Sequence, residues 1–158
     1  MADRRIYNPN FIPLLVNARA NAALGAAGAW DAAPIEFPVA GMAEMTAHVT
    51  YDEAPAGPGG SVDFQIQVSP YAVVAQVPAG GIEWESMSLY QTGAVVGGAD
   101  SASLLQHEII TFDPTVATAQ TIAFGPLALN GAERVRIRAR ESGAVANPGN
   151  CQIEVTLR

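Results

Sequence analysis

The stretch Glu133-Arg134-Val135-Arg136-Ile137-Arg138-Ala139-Arg140-Glu141 decides the fold of this chain. Cations and apolar residues alternate through it without a break, the period of a β-strand with one wet and one buried face. Arg134, Arg136, Arg138 and Arg140 point one way; Val135, Ile137 and Ala139 point the other. Just before it stands Asn130-Gly131, a dipeptide that accepts positive φ at both centres of a type I′ hairpin turn. Pro148-Gly149 closes the far side, and Cys151 to Leu157 alternates again. The arrangement predicts a β-meander.

The same style extends outward. Pro34 to Val39 is strand-like, and Pro38 confines it to a sheet edge because proline cannot donate to a ladder. Glu44 to Tyr51 alternates with Met45, Ala47, Val49 and Tyr51 inward, and Val62, Phe64, Ile66 and Val68 alternate with Asp63, Gln65 and Gln67. The Pro- and Gly-rich run 54–60 between them reads as a loop. Ile82–Tyr90, Leu104–Phe112 and Thr121–Leu129 supply further candidates. Together they predict an all-β protein of about eight strands, a two-sheet antiparallel β-sandwich with jelly-roll-like or related topology. The expected core includes Val62, Phe64, Ile66, Val68, Val135, Ile137, Ile153, Val155 and Leu157.

Residues 1–34 differ in composition from the sandwich expected over 35–158. An apolar knot, Phe11 to Val16, precedes a run of mostly Ala, Gly and Asn whose small side chains cannot build a core of their own. Two readings stand side by side: an arm that packs on this domain or a neighbour, and a first edge strand of the sandwich. On the arm reading, Phe11, Ile12, Leu14, Leu15 and Val16 dock on a partner. The knot is too short, and too interrupted by Pro13, for a secretory signal.

At 158 residues the chain is one domain by size, able to bury about 70% of its unfolded surface. A lone cysteine excludes an intrachain disulfide, and Cys151 reads as a small strand residue rather than a reactive thiol. The net charge of -7, with no lysine, argues against nucleic acid as a partner, since phosphate neutralisation needs surplus cations. The arginine row is the exception, and it is expected to pair across the ladder with acids such as Glu154; Arg136 and Arg138 are the candidate contact residues. No stretch predicts a membrane span.

Catalytic and metal constellations are not assembled. No phosphate-binding loop is possible without lysine, and no serine elbow or zinc-helix motif occurs. His48 and His107 stand apart on different strands. Glu83 and Glu85 flank Trp84 on one strand face, an arrangement more like a wet surface than the facing acids of a glycosidase. Asp52, Glu53, Asp100 and Asp113 offer oxygens near turns without a calcium-loop pattern. Trp30, Tyr71, Trp84 and Tyr90 would serve a sugar-binding sandwich only if several shared an exposed face; the expectation is that most are spent on the core, with Trp30 capping one end. No catalytic residue, cofactor or metal is expected.

The Trp30–Ile35 opening, the segment Gly59–Tyr71, and Arg136–Gly143 followed by Asn147-Pro148-Gly149 together resemble small β-sandwich virion proteins of tailed bacteriophages, those that decorate or cement the head shell. The resemblance spans roughly residues 28–158. It implies a non-enzymatic structural protein on the outer surface of the phage head. Its partners would be the major capsid protein and copies of itself in a homo-oligomer, with neither nucleic acid nor membrane. The alternative is a carbohydrate- or host-binding module of a tail or fibre.

Overall fold

A computed structural model describes residues 13–53, 61–87, 89–91, 105–107, 109–112, 119–141 and 148–158. Among them the strands are β1 (Leu14–Ala23), β2 (Glu36–Pro38), β3 (Glu44–Asp52), β4 (Val62–Ser69), β5 (Glu85–Ser86), β6 (Leu89–Gln91), β7 (Leu105–His107), β8 (Ile110–Phe112), β9 (Gln120–Ala128), β10 (Arg134–Glu141) and β11 (Asn150–Leu157). Single 3₁₀ turns lie at Ala26–Gly28 and Val74–Gln76.

Two antiparallel sheets form the sandwich. The first runs β1-β11-β3-β9; the second runs β2-β10-β4, with β5 and β8 sharing the remaining edge of β4. β5 pairs with Gln67 and Val68, and β8 with Val62 to Phe64, so the two pieces act as one strand interrupted by residues 87–109. β6 and β7 pair with each other within that interruption. Counting β5 and β8 as one strand, these are the strand orders of a jelly roll, in which nearly every step along the chain crosses from one sheet to the other.

That topology corrects the expected meander. Asn130 (φ 48°) and Gly131 (φ 81°) do form a type I′ turn, closed by Ala132 N–H donating to the Leu129 carbonyl at 2.9 Å. The turn carries the chain between sheets, however, and β10 and β11 are not neighbours: β10 pairs with β2 and β4, β11 with β1 and β3. Alternation fixes which face of a strand is buried but not which strand lies beside it.

The inward residues are as the alternation predicts. Met45, Ala47, Val49 and Tyr51 of β3 and Val62, Phe64 and Ile66 of β4 are buried. They meet Val135, Ile137 and Ala139 of β10 and Cys151, Ile153, Val155 and Leu157 of β11. The Phe64 and Phe124 rings meet across the interior at 5.8 Å. Val68 is only half-buried, because β5 covers that end of β4 with two residues. Β-proline placement also holds: Pro38 sits on β2, the outer edge of its sheet.

Residues 14–23 form the edge strand β1, along the whole of β11 from Leu14↔Leu157 to Ala23↔Asn150. Ala18 is buried and Val16 packs against the core. Of the two readings of the N-terminal segment, the edge strand describes this part. Phe11 and Ile12 lie outside the described residues.

Candidate partner-contact face

The outward side of the second sheet carries the arginine row. The ladder sets Arg134 beside Ser69, Arg136 beside Gln67, Arg138 beside Gln65 and Arg140 beside Asp63. Two indoles lie over this row. The Arg134 and Arg136 guanidinium carbons sit 4.9 and 4.3 Å from the Trp84 ring centre; those of Arg138 and Arg140 sit 5.4 and 4.4 Å from Trp30. Each tryptophan thus caps two arginines, within the range of cation–π attraction.

The indoles arrive from opposite edges of the sheet, each held by its own clamp. For Trp30 the clamp is Asp31. Its backbone N–H donates to the Ala139 carbonyl at 3.0 Å, and its carboxylate accepts from Ala139 N–H at 3.2 Å. The same carboxylate takes Arg19 of β1 at 2.9 and 3.2 Å, tying the edges of the two sheets together. Arg19 also donates to the carbonyls of Ala22, Ala23 and Cys151, filling a register shift in β1. For Trp84 the clamp has two sides: Glu83 accepts from Arg134 at 2.8 Å, and β5 begins at the next residue.

The four arginines are not equivalent. Arg134, 8% exposed, donates to the Tyr71 carbonyl at 2.7 Å, to Glu36 at 2.7 Å and to Glu83 at 2.8 Å. Arg140 grips Asp63 at 3.0 Å, and Asp63 accepts a further bond from Thr111 at 2.7 Å. Arg136 donates to Gln67 at 2.7 Å and stands 3.9 Å from Glu36. Burial lowers the Arg136 guanidinium from its ordinary value, against the pull of Glu36. Arg138 touches Trp30, and among the described residues no carboxylate lies within ion-pair reach of it.

The expected pairing of the row with acids therefore holds at its ends, through Glu36, Glu83 and Asp63. At the centre the expected pairing of Arg136 holds through Glu36 at 3.9 Å, beside the Gln67 amide and the Trp84 indole, whereas Arg138 meets the Trp30 indole and pairs with no carboxylate among the described residues. Glu154 plays no part, because β11 belongs to the other sheet, where Glu154 lies opposite His48. Nor are the tryptophans core residues or an end cap: both are half-buried on the outer face. A signal for this was present in the sequence. Trp84 lies between two glutamates and Trp30 precedes an aspartate, neighbours that resist burial, and the row of like charges needed a π-face or an acid at every position.

The other candidates separate. Leu14 and Leu15 on β1 are 48% and 61% exposed, while Val16 turns inward. His48 contacts Thr156 at 3.3 Å, and nothing is described of the His107 side chain. Glu83 is tied to Arg134, whereas Glu85 is exposed on β5, so the two do not act together. Asp100 and Asp113 lie outside the described residues, and among those described no three metal-binding side chains cluster. Glu141 is a buried acid to which the sequence reading assigned neither face of the strand. Its Oε2 accepts from the Tyr51 hydroxyl and from Gly149 N–H, both at 3.0 Å, while its Oε1 has no hydrogen-bond partner among the described residues. Burial, reinforced by the bond to Glu141, raises the Tyr51 phenol well above its ordinary value, and burial pushes the Cys151 thiol up to about 12.

The chain matches no family model, no curated protein and no solved structure.

Proposed function

We propose that this chain is a non-enzymatic virion structural protein of a tailed phage, binding the outer capsid shell as symmetric copies and decorating or reinforcing it. The observation that carries the reading is the β1 edge. It is a ten-residue strand whose outer backbone groups pair with no other described strand, and it begins with two exposed leucines. An edge of that length and apolarity is a template for pairing with another chain. The jelly roll supplies a rigid body behind it. Bound only to the assembled shell, such a protein stabilises the shell by its binding free energy.

The test is the position of the chain in purified particles. Heads separated from tails should contain it, and purified protein should rebind heads stripped of it. Leu14→Asp with Leu15→Asp should abolish rebinding while leaving the fold intact, since both side chains are exposed. Recovery in tails alone would refute the shell reading. A second reading, a carbohydrate- or host-binding module of a tail or fibre, draws on the two tryptophans that share one outer face. Recovery in tails would favour it.

A further inference from the structure

The centre of the arginine row holds cationic donors that no described residue accepts within hydrogen-bond reach. A guanidinium offers five N–H donors. Arg134 and Arg140 direct theirs at three carboxylates and a carbonyl. Arg136 commits its Nε to Gln67, and its terminal nitrogens have only Glu36 at 3.9 Å, beyond hydrogen-bond reach. Arg138 has no hydrogen bond to a described residue, although its guanidinium is held 5.4 Å from an indole. In a chain of net charge -7, two adjacent arginines with open donors form a cationic focus inside an acidic surface.

Three features restrict the ligand. The guanidinium fork matches a carboxylate in two parallel hydrogen bonds. Neither of the two grooves found among the described residues is lined by Arg136, Arg138, Trp30 or Trp84. The large apolar groove, about 1060 Å³, opens elsewhere, between β4 and β9, and the smaller one lies under β1. Small-molecule sites are concave, whereas arginine and tryptophan are residues enriched among those that dominate protein–protein contacts. Finally, Arg136 and Arg138 stand two residues apart on one strand, roughly 7 Å by the rise per residue. Acids at alternate positions of an extended segment have the same spacing.

We propose that Arg136 and Arg138, walled by Trp84 and Trp30, recognise two carboxylates at alternate positions of an extended acidic segment on a protein partner. The proposal rests on the shell-binding reading and supplies the chemistry of a contact. Both walls are held by clamps that do not use the open donors, so the site is formed before the ligand arrives and the ligand has little ordering to impose.

Trp30 and Trp84 are the only tryptophans of the chain, so its indole fluorescence reports on this face alone. The probe is a short synthetic peptide with glutamates at alternate positions, titrated at low salt while indole emission is followed. Its glutamine counterpart, polygalacturonate and inorganic phosphate run in parallel. Binding of the glutamate peptide should weaken at least tenfold in Arg138→Gln, a variant that breaks no hydrogen bond among the described residues, and further in the Arg136→Gln/Arg138→Gln pair. Arg158→Gln, at an arginine paired with Glu44 away from the face, should bind as the native protein does. Equal binding of the glutamine peptide, equal loss in Arg158→Gln, no binding at all, or a tighter response to polygalacturonate or phosphate would each overturn the proposal. Head rebinding, scored separately, distinguishes the two readings. An Arg138→Gln protein that loses the peptide yet rebinds heads fully overturns this contact and leaves the shell reading standing. Native protein that binds the peptide but is missing from heads overturns the shell reading.

Discussion

Raising the pH should destabilise this protein by way of two named groups. The Cys151 thiol and the Tyr51 phenol are both neutral when protonated, and burial raises both in the folded state, the thiol up to about 12. In the unfolded chain they ionise near ~8.5 and ~10. Between the unfolded and folded values the unfolded chain binds fewer protons, so stability falls as pH rises; below about pH 8 the full contribution is present. Each group removes about 1.4 kcal/mol per pH unit once its unfolded form ionises. By pH 11 the thiol accounts for on the order of 3 kcal/mol and the phenol for about 1, a large part of a typical 5–15 kcal/mol stability. The chain has no lysine to titrate in the same range, which leaves the profile to thiols and phenols. Urea midpoints by circular dichroism, with reductant present, should be level to about pH 8 and fall steeply from about pH 9. Cys151→Ala, which keeps the phenol, should postpone the fall to about pH 10. A native profile level to pH 11, or a Cys151→Ala profile that coincides with it between about pH 9 and 10, would refute the assignment.

Three further outcomes follow from the packing. Phe64→Ala, at a fully buried ring against Phe124, should cost roughly 3–5 kcal/mol in urea melts; a loss below about 1 would show that the ring is not a core residue. Arg134→Gln, which removes the partner of Glu83 and of the Tyr71 carbonyl and leaves Glu36 only Arg136 at 3.9 Å, should cost about 2 kcal/mol, whereas Arg138→Gln should cost less than about 1; equal effects would contradict the division of the row into tied ends and an open centre. Removal of residues 1–17 should lower the melting temperature, because Leu14 to Asn17 pair with Leu157 to Glu154; a truncated chain that melts like the full one would mean that this half of β1 adds no stability.

Much of the architecture was legible because it depends on local alternation. Val135, Ile137 and Ala139 could be assigned to the interior from nine residues, and the same logic served β3, β4 and β11. Neighbours were a different matter. The apolar faces of β10 and β11 look alike in sequence, and only the closing of two sheets around a common core sends one to each. The contact face was half legible. Arg136 and Arg138 stood out by their spacing, but the partners of the row are spread from Asp31 and Glu36 to Glu83, far away along the chain. Cation–π contacts between Arg138 and Trp30 leave no periodic trace. Glu141 closes the alternating stretch as if it were solvent-facing, yet it sits at an inward position, and its partners are Tyr51 of β3 and Gly149 just before β11.

The strand order also has a kinetic consequence. β10 and β11 leave the ribosome after every other strand of the two sheets, yet each lies in the interior of its sheet, β11 between β1 and β3 and β10 between β2 and β4. Until they emerge, β1 has no neighbour to pair with and β3 lacks one of its two. At synthesis rates of about 5–20 residues per second, β1 waits roughly 7–30 s for its partner. No long strand can meanwhile pair with the next long strand in sequence, so local hairpins cannot hold the growing chain. The two sheets can therefore close only after β11 has emerged, and the interval before it arrives is when the apolar strands are most open to the wrong partner.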